Sequence, residues 1–366
     1  MTIQAVISNK NSMILCTDTR QTIDDYKSYE GVKKIFSIKE NLPYGIMING
    51  RMEFQGIPLE TLIGEFKHSI NEIHDIKKLK SQFINFLSRN TPHTSVDEYL
   101  TEVLESFKIR LSQSIRENGF KYIINTTPFN IIPDFVKNYS NFDTEFDDII
   151  PDGYDKKECS LKIWRIFAYY LNFEGSQIIL AGYDKTHHFG SLFVFNIYCN
   201  DNGKIILTEI ESIENCDEPY IRVFAINEEA YAFITGVSND FEDYIKSHIN
   251  DTNGEIIRNM ELYLKANDFE NFQDILEKLQ EELNSRFVDF TGIINTFKLD
   301  IIEYTSYACE YVPRQLLCDF ADSLIKLTAL KQKMSLDLET VSSESDIALI
   351  TKTENFKWIK YNEEIV

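Results

Sequence analysis

The first fifty residues constrain the fold most, because they hold short apolar runs of strand length separated by turn residues. Residues 2–8 read Thr-Ile-Gln-Ala-Val-Ile-Ser, and Met13-Ile14-Leu15-Cys16 follows a turn at Asn9-Lys10-Asn11-Ser12. After a loop come Ile35-Phe36-Ser37-Ile38 and Tyr44-Gly45-Ile46-Met47-Ile48-Asn49-Gly50. Apolar runs this short, punctuated by Asn, Ser and Gly, predict the strands of a meandering sheet.

That meander can gather chemistry. Two adjacent strands can set Asp18 beside Thr2, and a third can add Lys34. Removing Met1 would leave Thr2 with both a hydroxyl and a free α-amino group. The hydroxyl is a poor nucleophile at its own pKa. An adjacent amine of pKa roughly 7.7–8.0 can take its proton near neutral pH. A lysine near that hydroxyl lowers the cost of an alkoxide, and a carboxylate paired with the lysine positions it and keeps it charged. The competing reading is structural: Asp18, Arg20 and Lys34 form a buried ion-pair network that holds the strands together without catalysis.

The residues Thr2, Asp18, Arg20 and Lys34, with Leu15-Cys16-Thr17-Asp18-Thr19-Arg20 and Lys33-Lys34-Ile35-Phe36 around them, resemble the start of a proteasome β-subunit. That subunit belongs to the N-terminal-nucleophile hydrolases. Four specified residues at four positions match by chance with a probability of roughly 10⁻⁵ on average composition. The resemblance implies Thr2 as nucleophile, Lys34 tuning the hydroxyl, Asp18 positioning Lys34, and Arg20 bracing the strand turn. It also places Asn49 or Gly50 at the position whose backbone N–H stabilises the oxyanion. Gln177-Ile178-Ile179-Leu180-Ala181-Gly182-Tyr183-Asp184 resembles the family's central strand, with residues 191–197 as hairpin partner. Residues 338–343 resemble the end of a helix and the family's Asp-x-x-Ser-Gly-Gly, with Glu339 and Ser342 on the Asp and Ser that hold the α-amino group. Glu339 is one methylene longer than the family's Asp, and both glycines are absent.

The implied fold is α+β, a four-layer αββα sandwich in one domain spanning 1–366. Its core comprises about 1–70, 175–238 and 305–366, with helical insertions at about 75–172 and 240–304. In the first insertion Ser95 and Glu98 form a capping-box pattern, and Leu100, Leu104, Phe107, Leu111 and Ile115 line one helical face. In the second, Phe269, Phe272, Ile275, Leu276, Leu279 and Leu283 repeat with helical period. The two apolar faces predict self-association, and packing on the sandwich is the alternative.

Composition narrows the function classes. The hydrophobic fraction is 43%, enough for a sizeable core, and no apolar run reaches transmembrane length. A net charge of -21 argues against nucleic acid or an anionic membrane as partner. No basic, apolar leader opens the chain, so the expectation is a cytoplasmic protein whose six cysteines are reduced. The acidic loop 139–155 lacks calcium ligands at the third and last loop positions, and His187-His188 lacks metal-ligand spacing. The expectation is a threonine-type peptidase or amidohydrolase acting on a peptide or amide, with no metal or organic cofactor. The alternative is a non-catalytic assembly or peptide-binding protein on the same fold.

Overall fold

The computed structural model describes residues 2–361 apart from 24–26, 40, 71–72, 74, 126–130, 226–227, 268, 270 and 336–338. Eight strands open the chain: β1 (Ile3–Asn9), β2 (Ser12–Asp18), β3 (Gln21–Ile23), β4 (Lys27–Tyr29), β5 (Ile35–Ser37), β6 (Tyr44–Gly50), β7 (Glu53–Phe54) and β8 (Ile57–Pro58). Six helices follow: α1 (Leu59–Ser69), α2 (Ile76–Asn90), α3 (Val96–Asn118), α4 (Phe120–Asn125), α5 (Asp134–Lys137) and α6 (Lys156–Glu174). Then come β9 (Ser176–Tyr183), β10 (Gly190–Asp201), β11 (Lys204–Ile213) and β12 (Tyr220–Ala225). The chain ends with α7 (Glu228–Thr235), α8 (Asn239–Ala266), α9 (Phe272–Cys309), α10 (Arg314–Lys333), β13 (Ser345–Thr351) and β14 (Asn355–Lys360).

Among the described residues ten strands form two five-stranded sheets, ordered β12-β1-β2-β13-β14 and β11-β10-β9-β6-β5, and β3-β4 and β7-β8 form two small pairs, with all neighbours antiparallel. The turn between β1 and β2 is fixed by Asn9, whose Oδ1 accepts from the amides of Asn11 (3.0 Å) and Ser12 (3.1 Å). Alternate residues of β1 then serve two cores. Ile3, Ala5 and Ile7 join a cluster with Leu317, Ala321 and Leu324 of α10, while Val6 joins Met13, Leu15, Ile179 and Val194 between the two sheets. The far face of the second sheet carries Ile46, Ile48, Ile178 and Leu180, packed on Leu62, Phe66 and Phe83 of α1 and α2. The first sheet is therefore apolar on both faces, and the burial of every residue of β1 and β2 follows from that.

Two helical bodies add to these sheets. Residues 96–174 build their own cluster around Trp164, Phe107, Phe146 and Phe167, seated on Tyr198, Cys199 and Ile206 of β10 and β11. The capping box at Ser95 and Glu98 is present, and Leu100, Leu104, Phe107 and Leu111 are buried as the helical spacing predicts. That face is therefore consumed internally and is not free for self-association. Helices α8 and α9 behave differently. Their buried residues are only Glu242, Leu264, Lys298, Ser306 and Cys309. Phe272, Leu276, Leu279 and Leu283 are half-buried, Ile275 is exposed, and Phe269 precedes the helix rather than joining it. At the C-terminal end α10 stops at Lys333, well before Glu339, so Glu339 and Ser342 lie on a connection rather than at a helix end. Leu338 falls outside the described residues.

Candidate active site

Asp18 ends β2 with no exposed surface, and five donors converge on its carboxylate. Oδ1 accepts from the hydroxyl of Thr2, from the Ile3 amide (3.1 Å) and from the Lys34 ammonium (2.8 Å). Oδ2 accepts from the amides of Arg20 (3.0 Å) and Ser342 (3.3 Å). Lys34 comes from the other sheet. It immediately precedes β5, where its carbonyl accepts from the Ile48 amide of β6 (2.9 Å). Its ammonium, 1% exposed with the rest of the residue, donates to Thr2 Oγ1, Asp18 Oδ1 and the Arg20 carbonyl. Burial pulls the Lys34 pKa below the usual lysine value; the charges of Asp18 and Asp346 oppose that pull.

The Thr2 hydroxyl thus donates to a carboxylate and accepts from an ammonium in one buried cluster. The ammonium faces the oxygen where negative charge would develop and the carboxylate beside it opposes that charge, so the net effect on an alkoxide is a balance of the two. Arg20 sits at the rim. Its guanidinium donates to the Glu339 carbonyl (2.9 Å) and side chain (3.4 Å) and pairs with Glu30. Glu339 is therefore engaged with Arg20. Ser342 serves through its backbone on Asp18, and its hydroxyl accepts from the Glu344 amide (3.1 Å).

Asn49 and Gly50 lie at the end of β6 and contact β9 instead. The Gly50 amide donates to the Asn49 side chain (2.6 Å), whose Nδ2 donates to Gln177 (3.4 Å). Gly50 adopts a φ of 75°, with its Cα against the Gly175 carbonyl. Among the described residues neither one is hydrogen-bonded to Thr2. Met1, whose removal the self-activating scheme requires, lies outside the described residues.

Three contributors were not singled out from the sequence. Gln4 donates across to the Ile48 carbonyl (2.6 Å) and so ties β1 to β6 beside Thr2. A polar residue inside an apolar strand was the available signal. Asp346, at the start of β13, adds negative potential at Lys34. Glu30 pairs with Arg20 from the segment after β4 and carries no pattern that marks it.

Replacing Asp18 with Ala would leave the Lys34 ammonium buried without its carboxylate. The expected cost is about 3–5 kcal/mol of unfolding free energy in urea titration. Adding Lys34→Met to Asp18→Ala should restore part of it, because no charge is then stranded. A single-variant loss under roughly 0.5 kcal/mol would show that the ammonium reaches water and that the pair does not organise the site.

No family profile matches the sequence and no curated protein matches it. Among solved structures, Anbu (ancestral beta-subunit) from Yersinia bercovieri is similar over 99% of this chain and 89% of its own. The identity is 8% and the TM-score 0.38, a likeness too low to carry an argument about either fold or activity.

Proposed function

We propose that the chain is an αββα sandwich of the N-terminal-nucleophile type and a threonine-type amidohydrolase of peptide or amide substrates. The supporting observation is the contact of the Lys34 ammonium with both Thr2 Oγ1 and Asp18 Oδ1. On this reading about 75–172 and 240–304 are insertions into a core of about 1–70, 175–238 and 305–366. The cell compartment proposed is the cytoplasm.

Once Met1 is removed, the freed α-amine of Thr2 takes the hydroxyl proton as Oγ1 adds to the amide carbonyl. Lys34 stabilises the oxygen as its negative charge grows. The amine then delivers the proton to the leaving nitrogen, the C–N bond breaks, and water hydrolyses the remaining ester to regenerate Thr2. Asn49 or Gly50 would supply the oxyanion donor, and the Gly50 amide would first have to leave the Asn49 side chain. Glu339, which also meets Arg20, and Ser342, whose amide donates to Asp18, would hold the amine.

A specific observation favours a second reading, a non-catalytic assembly or peptide-binding protein. Thr2, Asp18 and Lys34 are 7%, 0% and 1% exposed, and the Gly50 amide is already satisfied. Labelling by a β-lactone separates the two. Intact-mass spectrometry should show Met1 removed, and peptide mapping should place the label on Thr2. Lys34→Met should slow labelling by about 10²–10⁴-fold in a protein that still unfolds cooperatively. A processed, folded protein that takes no label would establish the non-catalytic reading.

The rate should also depend on pH on both sides. The amine must be neutral, so activity rises as it loses its proton near or below its ordinary value. Lys34 must keep its proton, and burial lowers its pKa, so activity falls again below the ordinary lysine value of 10.5. A profile that still climbs at pH 10.5 would exclude a charged Lys34 from the reaction.

A homo-oligomer is part of the proposal. Phe241, Tyr244, Leu262, Val288, Ile293 and Leu299 lie exposed on α8 and α9, more apolar surface than an isolated hairpin keeps in water without cost. Sedimentation velocity at micromolar concentration should give a dimer or larger species. A monomer across the micromolar range would refute self-association.

A further inference from the structure

Helix α10 is apolar on two faces, and the first sheet uses only one. Leu317, Ala321, Leu324, Ile325 and Ala329 are buried with the apolar residues of β1 and β2. Away from them run Leu316, Phe320, Ser323, Leu327, Leu330 and Met334, spaced alternately by four and three residues. That is the 3.5-residue period of a coiled-coil seam, kept over about 27 Å of helix. Leu316, Leu327, Leu330 and Met334 are exposed, and Phe320 is half-buried. Met334 is the C-cap and keeps helical backbone. Ser323 does not interrupt the seam, because its hydroxyl donates to the Asp319 carbonyl (2.7 Å). Phe233 of α7 is exposed beside it, with its ring centroid 6.0 Å from that of Phe320. A seam of this period is buried only by another helix.

The flanking charges select that helix. Asp319 and Lys333 border the seam on its solvent side, two heptads apart, and neither has an ion-pair partner among the described residues. Asp319 accepts from Gln315 (3.0 Å), and Lys333 reaches only the Ser343 hydroxyl (3.4 Å). Lys326 lies between them and is already paired with Asp322 at 2.6 Å. A second α10 laid antiparallel across the seam sets Leu316 against Met334, Phe320 against Leu330 and Ser323 against Leu327. The same arrangement sets Asp319 against Lys333 of the second copy, once at each end. The two Lys326 side chains then meet near the two-fold axis, each with its own Asp322 beside it. A parallel pair would set Lys326 against Lys331 of the second copy and leave Asp319 facing the buried Leu324.

We propose that α10 docks on α10 of a second copy of this chain as an antiparallel helix pair. The contact is isologous, so one surface supplies both halves and the pair closes as a dimer. The face is separate from the exposed residues of α8 and α9, so the two self-contacts can fail independently. It is also remote from the chemistry at Thr2 and stands whether or not the protein cleaves amides.

Sedimentation equilibrium of the full chain in a Leu262→Lys background, which puts a charge on the apolar face of α8, tests it. That protein should still form a dimer at micromolar concentration. Leu330 is 58% exposed, so Leu330→Lys needs no repacking of the monomer; added to the background, it should weaken the dimer by about 10-fold or more while unfolding stays cooperative. Asp319→Lys should weaken it by about 5-fold or more, and Asp319→Lys combined with Lys333→Asp should return it to within about threefold of the background. Thr2→Ala should leave association unchanged. A dimeric wild type that becomes monomeric with Leu262→Lys alone would overturn the proposal and leave α8 and α9 as the interface. A dimer indifferent to Leu330→Lys, or a double charge reversal no tighter than the single one, would overturn it as well. Failure of Thr2 to take a β-lactone label in an intact dimer would count against amide cleavage alone.

Discussion

The buried contact between Asp18 and Lys34 is the interaction on which the site's arrangement depends. It joins the end of a strand in one sheet to the residue that opens the edge strand of the other. Neither group has water to turn to, so each must be satisfied by protein. The carboxylate is met by three backbone amides, a hydroxyl and the ammonium; the ammonium is met by the carboxylate, the same hydroxyl and a carbonyl. A buried ion pair of this kind contributes little net stability compared with apolar residues of similar volume. Its effect is on specificity: with both partners in place, the register between the two sheets at this point has one satisfactory solution. Thr2 lies inside that solution because its hydroxyl completes both coordination shells.

Gly50 also has a packing requirement of its own, separate from the donor role proposed for Asn49 or Gly50. Its backbone approaches the Gly175 carbonyl too closely for any side chain, and its amide is capped by the neighbouring Asn49. The glycine is thus explained by packing alone. Glu339 gives a parallel case. Its longer side chain and its carbonyl both meet Arg20, which itself reaches Glu30, so the rim is held by a chain of charges that starts at Arg20 and does not touch Thr2.

Much of the central framework was legible in the sequence because local pattern and tertiary environment agree there. The β1–β2 turn is written in Asn9, and the strands around Ile14, Ile46 and Leu180 are short apolar runs that pack on both faces. Helix α3 was legible to its cap, since Ser95 and Glu98 satisfy the free amides that any helix start must satisfy. The gathering of Asp18, Lys34 and Thr2 followed from strand adjacency. What the sequence did not carry were relations between distant segments. Glu30 meets Arg20, and the Tyr99 ring meets that of Tyr198; no spacing rule connects such pairs. The periodicity at 269–283 predicted a helix correctly from Phe272 onward. It left open what covers that face, because periodicity records which face is apolar and not whether anything covers it.

The long helical pair has a mechanical consequence. Buried contacts concentrate near one end of it, where Lys298 pairs with Glu242 and lies over the Tyr231 ring at 5.0 Å. From Lys298 back to the first residue of α9 the helix extends for about 39 Å at its ordinary rise. A rigid arm of that length acts as a lever on its hinge. A change of a few degrees at the Glu242–Lys298 joint displaces the far end by several ångströms while the strands that carry Asp18 and Lys34 keep their register. Anything that grips the distal part of the hairpin therefore acts with a long moment arm on one charged contact and with almost none on the sheets.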